Sequence, residues 1–288
     1  MIKYVKRKNL DLVKYNDCIE NSIQSRIYAF AWYLDIVADN WDVLVLNDYQ
    51  AVMPIPWKQK YFIKYITQPF FCQQLGVFSK DEISNDVIQN FIKVIPIKFL
   101  KITLNFNSKN AIDRKDLIIK NNAILKLDKD FKELKNNFNK NRKRDLKKAE
   151  LSLFTFDTAI QSNEFFDFYL ENDKNYKAEK KLLFTLKKII TSSNLKIKYF
   201  GLRHNGALSC SVLLLDDGKR VTYLVPVSNN FARENGGATF LISKILSIYA
   251  KRNYILDFEG SMIAGVAKFY RSFGAKEAVY FTFNRTFL

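Results

Sequence analysis

The stretch RENGGA at residues 233–238 lies between a predicted strand over residues 219–227 and a predicted amphipathic helix over residues 236–251. Two glycines at the start of a helix let backbone N–H groups approach an anion, and the helix dipole adds partial positive charge. A guanidinium supplies forked donors that suit phosphate. The stretch therefore predicts a phosphate site with Arg233, Asn235, Gly236, Gly237 and Ala238 as candidate ligands, and an ordinary glycine-rich turn is the alternative.

The strand before this stretch ends in Val225-Pro226-Val227. Because proline has no N–H to donate, Pro226 is expected to loosen this strand from its neighbour. A gap between parallel strands leaves backbone groups of Val225 and Val227 for a linear, amide-bearing ligand. The alternative is an ordinary strand end, where proline is common.

Two further stretches carry chemistry, LDFEGS at residues 256–261 and AKFYRSFGA at residues 267–275. Asp257 and Glu259 lie on one side of an extended segment, so either one, or a water that it orients, is a candidate base for an attacking amine. The alternative is that Asp257 caps turn donors and that Ser261 is the N-cap of the next helix.

The order of the predicted elements indicates a mixed α/β protein made of two halves. From residue 151 to residue 284 it is β-α-α-β-β-β-α-β-α-β, and the first half repeats part of that order, which indicates a structural duplication. We therefore expect an N-terminal domain over residues 1–130 and a more regular C-terminal domain over residues 131–288. A basic helix over residues 130–150 is expected to bridge them.

These motifs, on these elements, resemble the GNAT superfamily of acyl-CoA N-acyltransferases. Residues 233–238 are similar to its pyrophosphate loop, [RQ]xxGx[GA], and residues 267–274 resemble a later motif whose tyrosine commonly protonates the departing CoA thiolate. The resemblance implies that role for Tyr270. The competing interpretation places Tyr270 in the core, because Phe269 and Phe273 form the stripe of a buried helix face.

The whole chain resembles more narrowly the FemABX-like branch, which carries two GNAT-type domains in tandem. The basic helix at residues 141–149, the strand end at residues 257–260 and the FxxxFG pattern at residues 269–274 carry this resemblance. FemABX enzymes transfer amino acids from aminoacyl-tRNA to cell-wall precursors, but they tend to have a lysine where this chain has Tyr270. The chain also lacks the long helical insertion that some FemABX members carry. Both departures favour an acyl-CoA donor, and aminoacyl-tRNA stays the alternative.

The charge points to the same class of ligand. The chain has 46 Lys and Arg against 29 Asp and Glu, which gives a net charge of +17. An AT-rich genome, which encodes many lysines, is an alternative explanation of this excess. Residues 126–148 hold ten basic and four acidic residues, and residues 174–198 hold eight basic and one acidic residue. We therefore expect a phosphate-bearing donor, with Arg142, Arg144 and Trp57 as candidate substrate-binding residues in a cleft that the first domain helps to form.

The numbers of histidines and cysteines bear on other classes of function. One histidine and three scattered cysteines predict no metal site and no disulfide framework. The absence of a long apolar run predicts a cytoplasmic protein without a transmembrane segment and leaves peripheral membrane contact open. A non-catalytic RNA-binding or CoA-sensing protein is the rival to an N-acyltransferase, and tRNA stays a candidate partner. The acceptor amine is not identified.

Overall fold

The computed structural model describes residues 1–172, 180–260 and 262–287. Part of the basic stretch 174–198, and the expected N-cap Ser261, lie outside the described residues. The chain divides into two compact units, one of residues 1–120 with 279–288 and one of residues 121–278. No helix in the described part of the chain is both long enough and apolar enough to cross a membrane.

The first unit combines three helices, given in chain order, with a mixed sheet. The helices are α1 (Leu12–Glu20), α2 (Ala31–Val37) and α3 (Asn85–Lys93). The strands are β1 (Ile2–Lys6), β2 (Asn40–Leu46), β3 (Ala51–Lys60), β4 (Ile63–Ile66), the short β5 (Phe78–Ser79) and β6 (Phe99–Phe106). Strands β1 to β4 pair antiparallel in sequence order, β4 pairs parallel with β6, and β5 pairs with β3.

The second unit repeats this scheme in a more extended form. Its strands are the end of β7 (Ile118–Lys126), then β8 (Thr155–Asp157), β9 (Ile197–His204), β10 (Ala207–Asp216), β11 (Arg220–Ser228) and β12 (Ile255–Asp257). Its helices are α4 (Phe131–Asn136), α5 (Lys140–Leu151), α6 (Ser162–Asn172), α7 (Lys180–Ile190), α8 (Asn230–Glu234), α9 (Gly237–Tyr249) and α10 (Ala264–Arg271). Strands β8 to β11 pair antiparallel, and β11 pairs parallel with β12.

The last strand of each sheet comes from a distant part of the chain. In the first unit it is the end of β13 (Lys276–Thr286), which pairs antiparallel with β6. In the second unit it is β7, which pairs antiparallel with β12. The predicted mixed α/β architecture is confirmed, and both sheets follow one scheme: antiparallel strands, one parallel pair, then a closing antiparallel strand.

One local prediction differs from the structure, and two observed elements lie outside the predictions. The charged N-terminus forms β1, whose residues are half-buried or exposed and pair with β2. The short helix α8 lies between the predicted strand over residues 219–227 and the predicted helix over residues 236–251. The single helix expected over residues 130–150 is instead α4 followed by α5, because the Asn139 side chain caps the second helix by accepting from the Arg142 N–H (3.0 Å).

Helix α9 is apolar around most of its circumference and is therefore deeply buried. Leu241, Ile242, Ile245 and Leu246 are fully inaccessible to solvent. They belong to one core cluster with residues of β9, β10 and β11. This packing fixes the position of the N-terminus of α9, where the sequence predicts the phosphate site.

Replacing Phe283 with alanine should lower the free energy of unfolding by about 3 to 5 kcal/mol, since it empties a buried aromatic site. Phe283 is 1% exposed and meets the ring of Phe106 edge-on, at a centroid distance of 6.4 Å. The measurement is urea unfolding followed by circular dichroism. Phe62→Ala is the matched control, because Phe62 is 98% exposed and its loss should cost less than about 0.5 kcal/mol. Equal effects would contradict the packing of Phe283 against Phe106 in the first unit.

Candidate functional site

Strands β11 and β12 pair over a short distance and then separate. Their parallel register runs from Arg220 opposite Ile255 to Thr222 opposite Asp257. Immediately afterwards the Phe258 N–H donates to the Ala123 carbonyl in β7 (2.9 Å), away from β11. The far part of β11 therefore has no β12 residue beside it. This separation lies at the carboxyl ends of two parallel strands, where ligands bind in many α/β sheets.

A β-bulge bends β11 at the same point. Tyr223 lies opposite Leu214 and Val225 lies opposite Leu213, so Leu224 is the additional residue. Val225 and Val227 are buried and pair with β10 along the other edge of the strand. Pro226 is exposed between them.

Three aromatic side chains gather where the strands part. The Tyr270 ring stacks on Phe258 at a centroid distance of 4.6 Å, and Tyr223 meets both rings edge-on at 5.9 and 6.2 Å. Tyr270 is 8% exposed. Burial raises the pKa of Tyr223 well above its ordinary value, and the nearby Cys210 and Tyr270 add to the shift. Tyr270 thus has the core environment that the sequence offered as an alternative, and its catalytic role stays a prediction.

Asp257 is held in place by two partners. Its Oδ2 accepts from the Arg220 guanidinium at 2.6 Å, and its Oδ1 accepts from the Glu259 N–H at 2.9 Å. Asp257 is 1% exposed. The second contact is the turn cap that the sequence offered as the alternative to catalysis.

The turn after Asp257 adopts left-handed backbone at two consecutive residues. Glu259 has φ +57°, which a non-glycine residue rarely adopts, and Gly260 has φ +54°. A Cβ at Gly260 would lie 2.4 Å from the Cα of Asn122, so this turn lies against β7. Glu259 is half-buried, and strained backbone of this kind often occurs at functional sites.

The glycines before α9 have a packing role. Gly236 is the N-cap of α9 with φ +72°, and a Cβ there would lie 2.4 Å from the Asp145 carbonyl oxygen of α5. A Cβ on Gly237 would lie 2.8 Å from the Cβ of Ala232. Both glycines therefore permit close approach within the protein, and α5 lies against the start of α9.

The basic helix α5 uses its two arginines differently. Arg142 donates to Thr239 Oγ1 in the first turn of α9 (2.7 Å), pairs with Asp145 (2.8 Å) and lies over the Phe269 ring of α10 (4.5 Å). Its burial lowers the pKa of the guanidinium, against the charge of Asp145. Arg144, by contrast, is 78% exposed. The structure thus brings Arg142 to the predicted phosphate loop and presents Arg144 to solvent.

The remaining predicted residues lie in varied surroundings. Arg233 is exposed on α8, and among the described residues its hydrogen bonds are the long contacts to the Asn172 carbonyl (3.4 Å) and Asn230 Oδ1 (3.5 Å). Asn235 donates to the Phe231 carbonyl (2.9 Å), and Ala238 packs against the core. Trp57 lies in the first unit, where its Nε1 donates to Asp42 (2.9 Å). Among the described residues no group of three His, Cys, Asp or Glu side chains could hold a metal ion.

Sequence reasoning missed the Arg220–Asp257 pair and the Thr239 contact. The signal for the first was available, because an arginine that opens a strand whose interior is otherwise apolar requires a partner. The contact between Arg142 and Thr239 had no local signal, because 97 positions separate the two residues in sequence.

Comparisons with known proteins identify the fold. No protein-family model matches the chain. No curated protein matches it either. Among solved structures, FemX superposes with a TM-score of 0.69 at 10% identity, covering 97% of this chain and 96% of FemX. L-PGS from Bacillus licheniformis superposes with a TM-score of 0.58 at 11% identity, covering 96% of this chain and 92% of L-PGS. A tandem GNAT protein from the clavulanic acid biosynthesis pathway superposes with a TM-score of 0.54 at 10% identity, covering 99% of this chain and 98% of that protein. The predicted FemABX-like tandem GNAT fold is therefore confirmed.

Replacing Asp257 with asparagine should lower the free energy of unfolding by about 3 to 5 kcal/mol, because the buried Arg220 charge loses its partner. The double variant Arg220→Met with Asp257→Leu should recover most of that loss, as measured by denaturant unfolding. Asp48→Asn breaks the exposed Lys14–Asp48 pair and should cost less than about 1 kcal/mol. A stable Asp257→Asn protein would show that this pair is not structural.

Proposed function

We propose that the chain is an N-acyltransferase that moves an acyl group from a CoA thioester to an amine. The observation that carries this proposal is the separation of β11 and β12, with the N-terminus of α9 following one strand and Tyr270 beside the opening. This arrangement occurs in a fold that the chain shares with a tandem GNAT protein. The opening offers unpaired strand edges for a linear donor with amide groups.

The donor phosphates would bind at the start of α9. The first N–H groups of a helix have no partner within the helix, and the helix dipole favours an anion there. Arg233 is exposed one turn earlier and makes only long hydrogen bonds to the residues that the structure describes, which favours a role of its guanidinium in holding a phosphate. Because Gly236 packs on α5, the anion would approach from the side of Arg233 and Ala238.

The chemistry is direct transfer in a ternary complex. The amine nitrogen attacks the thioester carbonyl carbon, the new C–N bond forms, and the C–S bond breaks as the tetrahedral intermediate collapses. The amine loses a proton to a base, and the leaving thiolate gains one from Tyr270. Asp257 is committed to Arg220, so we assign the base to Glu259, or to a water that it orients.

Aminoacyl-tRNA as the donor is the second candidate, because one face of α5 is basic and exposed. Lys140, Lys143, Arg144, Lys147 and Lys148 are all exposed on this helix. A row of cations beside the α9 N-terminus suits a large polyanion better than a single pyrophosphate. In this case the bond that breaks is an ester C–O bond, and the acceptor amine attacks as before.

A binding panel of CoA, acetyl-CoA, deacylated tRNA and aminoacyl-tRNA separates the candidates. We expect CoA and acetyl-CoA to raise the melting temperature, and Arg233→Ala to weaken their binding about tenfold, since one charged hydrogen bond to phosphate is lost. Arg252→Ala is the matched control, because it removes the same charge just beyond the other end of α9, a 13-residue helix about 20 Å long. Salt-dependent binding of tRNA alone, lost in Arg144→Ala, would favour the second candidate. Binding of RNA without any transfer would contradict both.

Tyr270→Phe should lower the turnover of the preferred donor about 100-fold or more while leaving donor affinity nearly unchanged, because only the proton donor is removed. Single-turnover kinetics and donor titration measure the two effects separately. Tyr199→Phe is the control, since it removes a half-buried hydroxyl that donates to the Ile190 carbonyl elsewhere in the unit. Full activity of Tyr270→Phe would assign Tyr270 to the core alone.

A further inference from the structure

The turn between β3 and β4 carries bulky apolar side chains into solvent. Phe62 is 98% exposed, the largest exposed fraction of any large apolar side chain among the described residues. Its neighbours Tyr61 and Ile63 are 82% and 50% exposed. Tyr61 has φ +54°, which forms the tight turn and leaves the three side chains at the tip of a protruding hairpin.

A second segment extends this apolar surface. Lys64 in β4 pairs in parallel register with Phe99 in β6. Phe62 and Ile97, which lie two positions before Lys64 and Phe99, are therefore at the same end of the sheet. Ile97 is 76% exposed. We call Tyr61, Phe62, Ile63 and Ile97 the apolar tip. It lies at the amino ends of the parallel strands, opposite to the carboxyl ends at which α/β sheets usually bind their ligands.

Lysines surround the base of the apolar tip. Lys60 lies opposite Ile63 in the hairpin, and Lys64 lies over the Trp57 ring at 4.9 Å. Lys98 follows Ile97, lies over the Tyr4 ring at 4.2 Å and donates to the Tyr4 hydroxyl at 3.0 Å. Burial lowers the pKa of Lys98, and the positive charges of Lys64 and Lys6 lower it further, against the carboxylate of Asp42.

Three of these cations border a cavity of about 460 Å³ that is also lined by Trp41 and Trp57. The carboxylates there already have partners: Asp35 binds Arg7 and Trp41, and Asp42 binds Trp57 and the Arg7 N–H. In the described part of the chain, Lys6, Lys64 and Lys98 form no ion pair. The cavity lining holds five cationic side chains against three carboxylates, those of Asp35, Asp39 and Asp42, so it carries a net positive charge. This excess of positive charge favours an anion from outside the chain.

We propose that this edge of the first unit docks on an anionic phospholipid bilayer, with the apolar tip entering the interface and Lys6, Lys60, Lys64 and Lys98 contacting lipid phosphates. Aromatic side chains favour the headgroup level of a bilayer, and lysines add attraction to an anionic surface. A protein partner fits less well, because the centres of protein interfaces are depleted of lysine. The proposal concerns the first unit alone and holds whatever group the second unit transfers.

Co-sedimentation of the full chain with vesicles tests the proposal. The chain should sediment with equimolar phosphatidylcholine and phosphatidylglycerol and stay in solution with phosphatidylcholine alone. Phe62→Ser should weaken the partition about tenfold, and Lys60→Glu with Lys64→Glu should abolish it. Leu195→Ser and Lys188→Glu are the matched controls, since Leu195 is 91% exposed in the second unit and Lys188 is an exposed lysine there; neither should change the partition.

A second readout reports directly on the tip. Phe62→Trp keeps an aromatic side chain there, and its added fluorescence should shift to shorter wavelength with the anionic vesicles only. Equal binding to both vesicle types, an unaffected Phe62→Ser variant, or an unshifted Phe62→Trp spectrum would each overturn the proposal. So would a chain that binds RNA through Lys60 and Lys64 but sediments with no vesicle.

Discussion

The buried ion pair between Arg220 and Asp257 determines where the central sheet of the second unit opens. Arg220 begins β11 and Asp257 ends β12, so their contact joins the two ends of a pairing only three residues long. Asp257 also holds the turn that follows through the Glu259 N–H. Because the same carboxylate ends the strand and begins the turn, the strands must separate at this position. The stacked Phe258 and Tyr270 rings lie at this separation.

The charge of the chain serves two different purposes. Some cations bind groups of the chain itself. Arg142 donates to Thr239 of α9 and lies over the Phe269 ring of α10, and Arg203 binds Asp157 and Glu164. Others are exposed on the outer face of α5, where Lys140, Lys143 and Lys147 form no ion pair within the described residues, or line the cavity of the first unit, where five cations face three carboxylates. An AT-rich genome accounts for lysine as the residue type, but it does not account for this division between buried ion pairs and exposed basic clusters.

The sequence predicts most of this fold because its signals are local. Asn-Gly and Asp-Gly pairs between apolar runs are typical of tight hairpin turns, and Asn205-Gly206 and Asp217-Gly218 lie where β9, β10 and β11 are connected. The periodicity of residues 236–251 predicts α9 to within a few residues. The origin of the closing strands has no local signal: β13 joins β6 and β7 joins β12, and only tertiary packing selects these partners. Likewise, the glycines before α9 suggest a ligand in the sequence, whereas the close approach of the Asp145 backbone to Gly236 explains that glycine equally well. The roles assigned to individual site residues stay predictions, since a motif defines a position and not the atom that a ligand touches.

Arg142 and Arg144 lie in the same basic helix but have different surroundings, which the composition of the helix does not predict. Two positions along an α-helix rotate a side chain by about 200°, so the two arginines face nearly opposite directions. One face of α5 packs on α9, and there Arg142 has Thr239, Asp145 and Phe269 as partners. The other face leaves Arg144 in water. The exposed face of α5 therefore carries Arg144 and the lysines beside it, while Arg142 holds the helix in the orientation that exposes them. The basic run is both a packing element and a charged surface, and helical geometry alone divides its residues between the two.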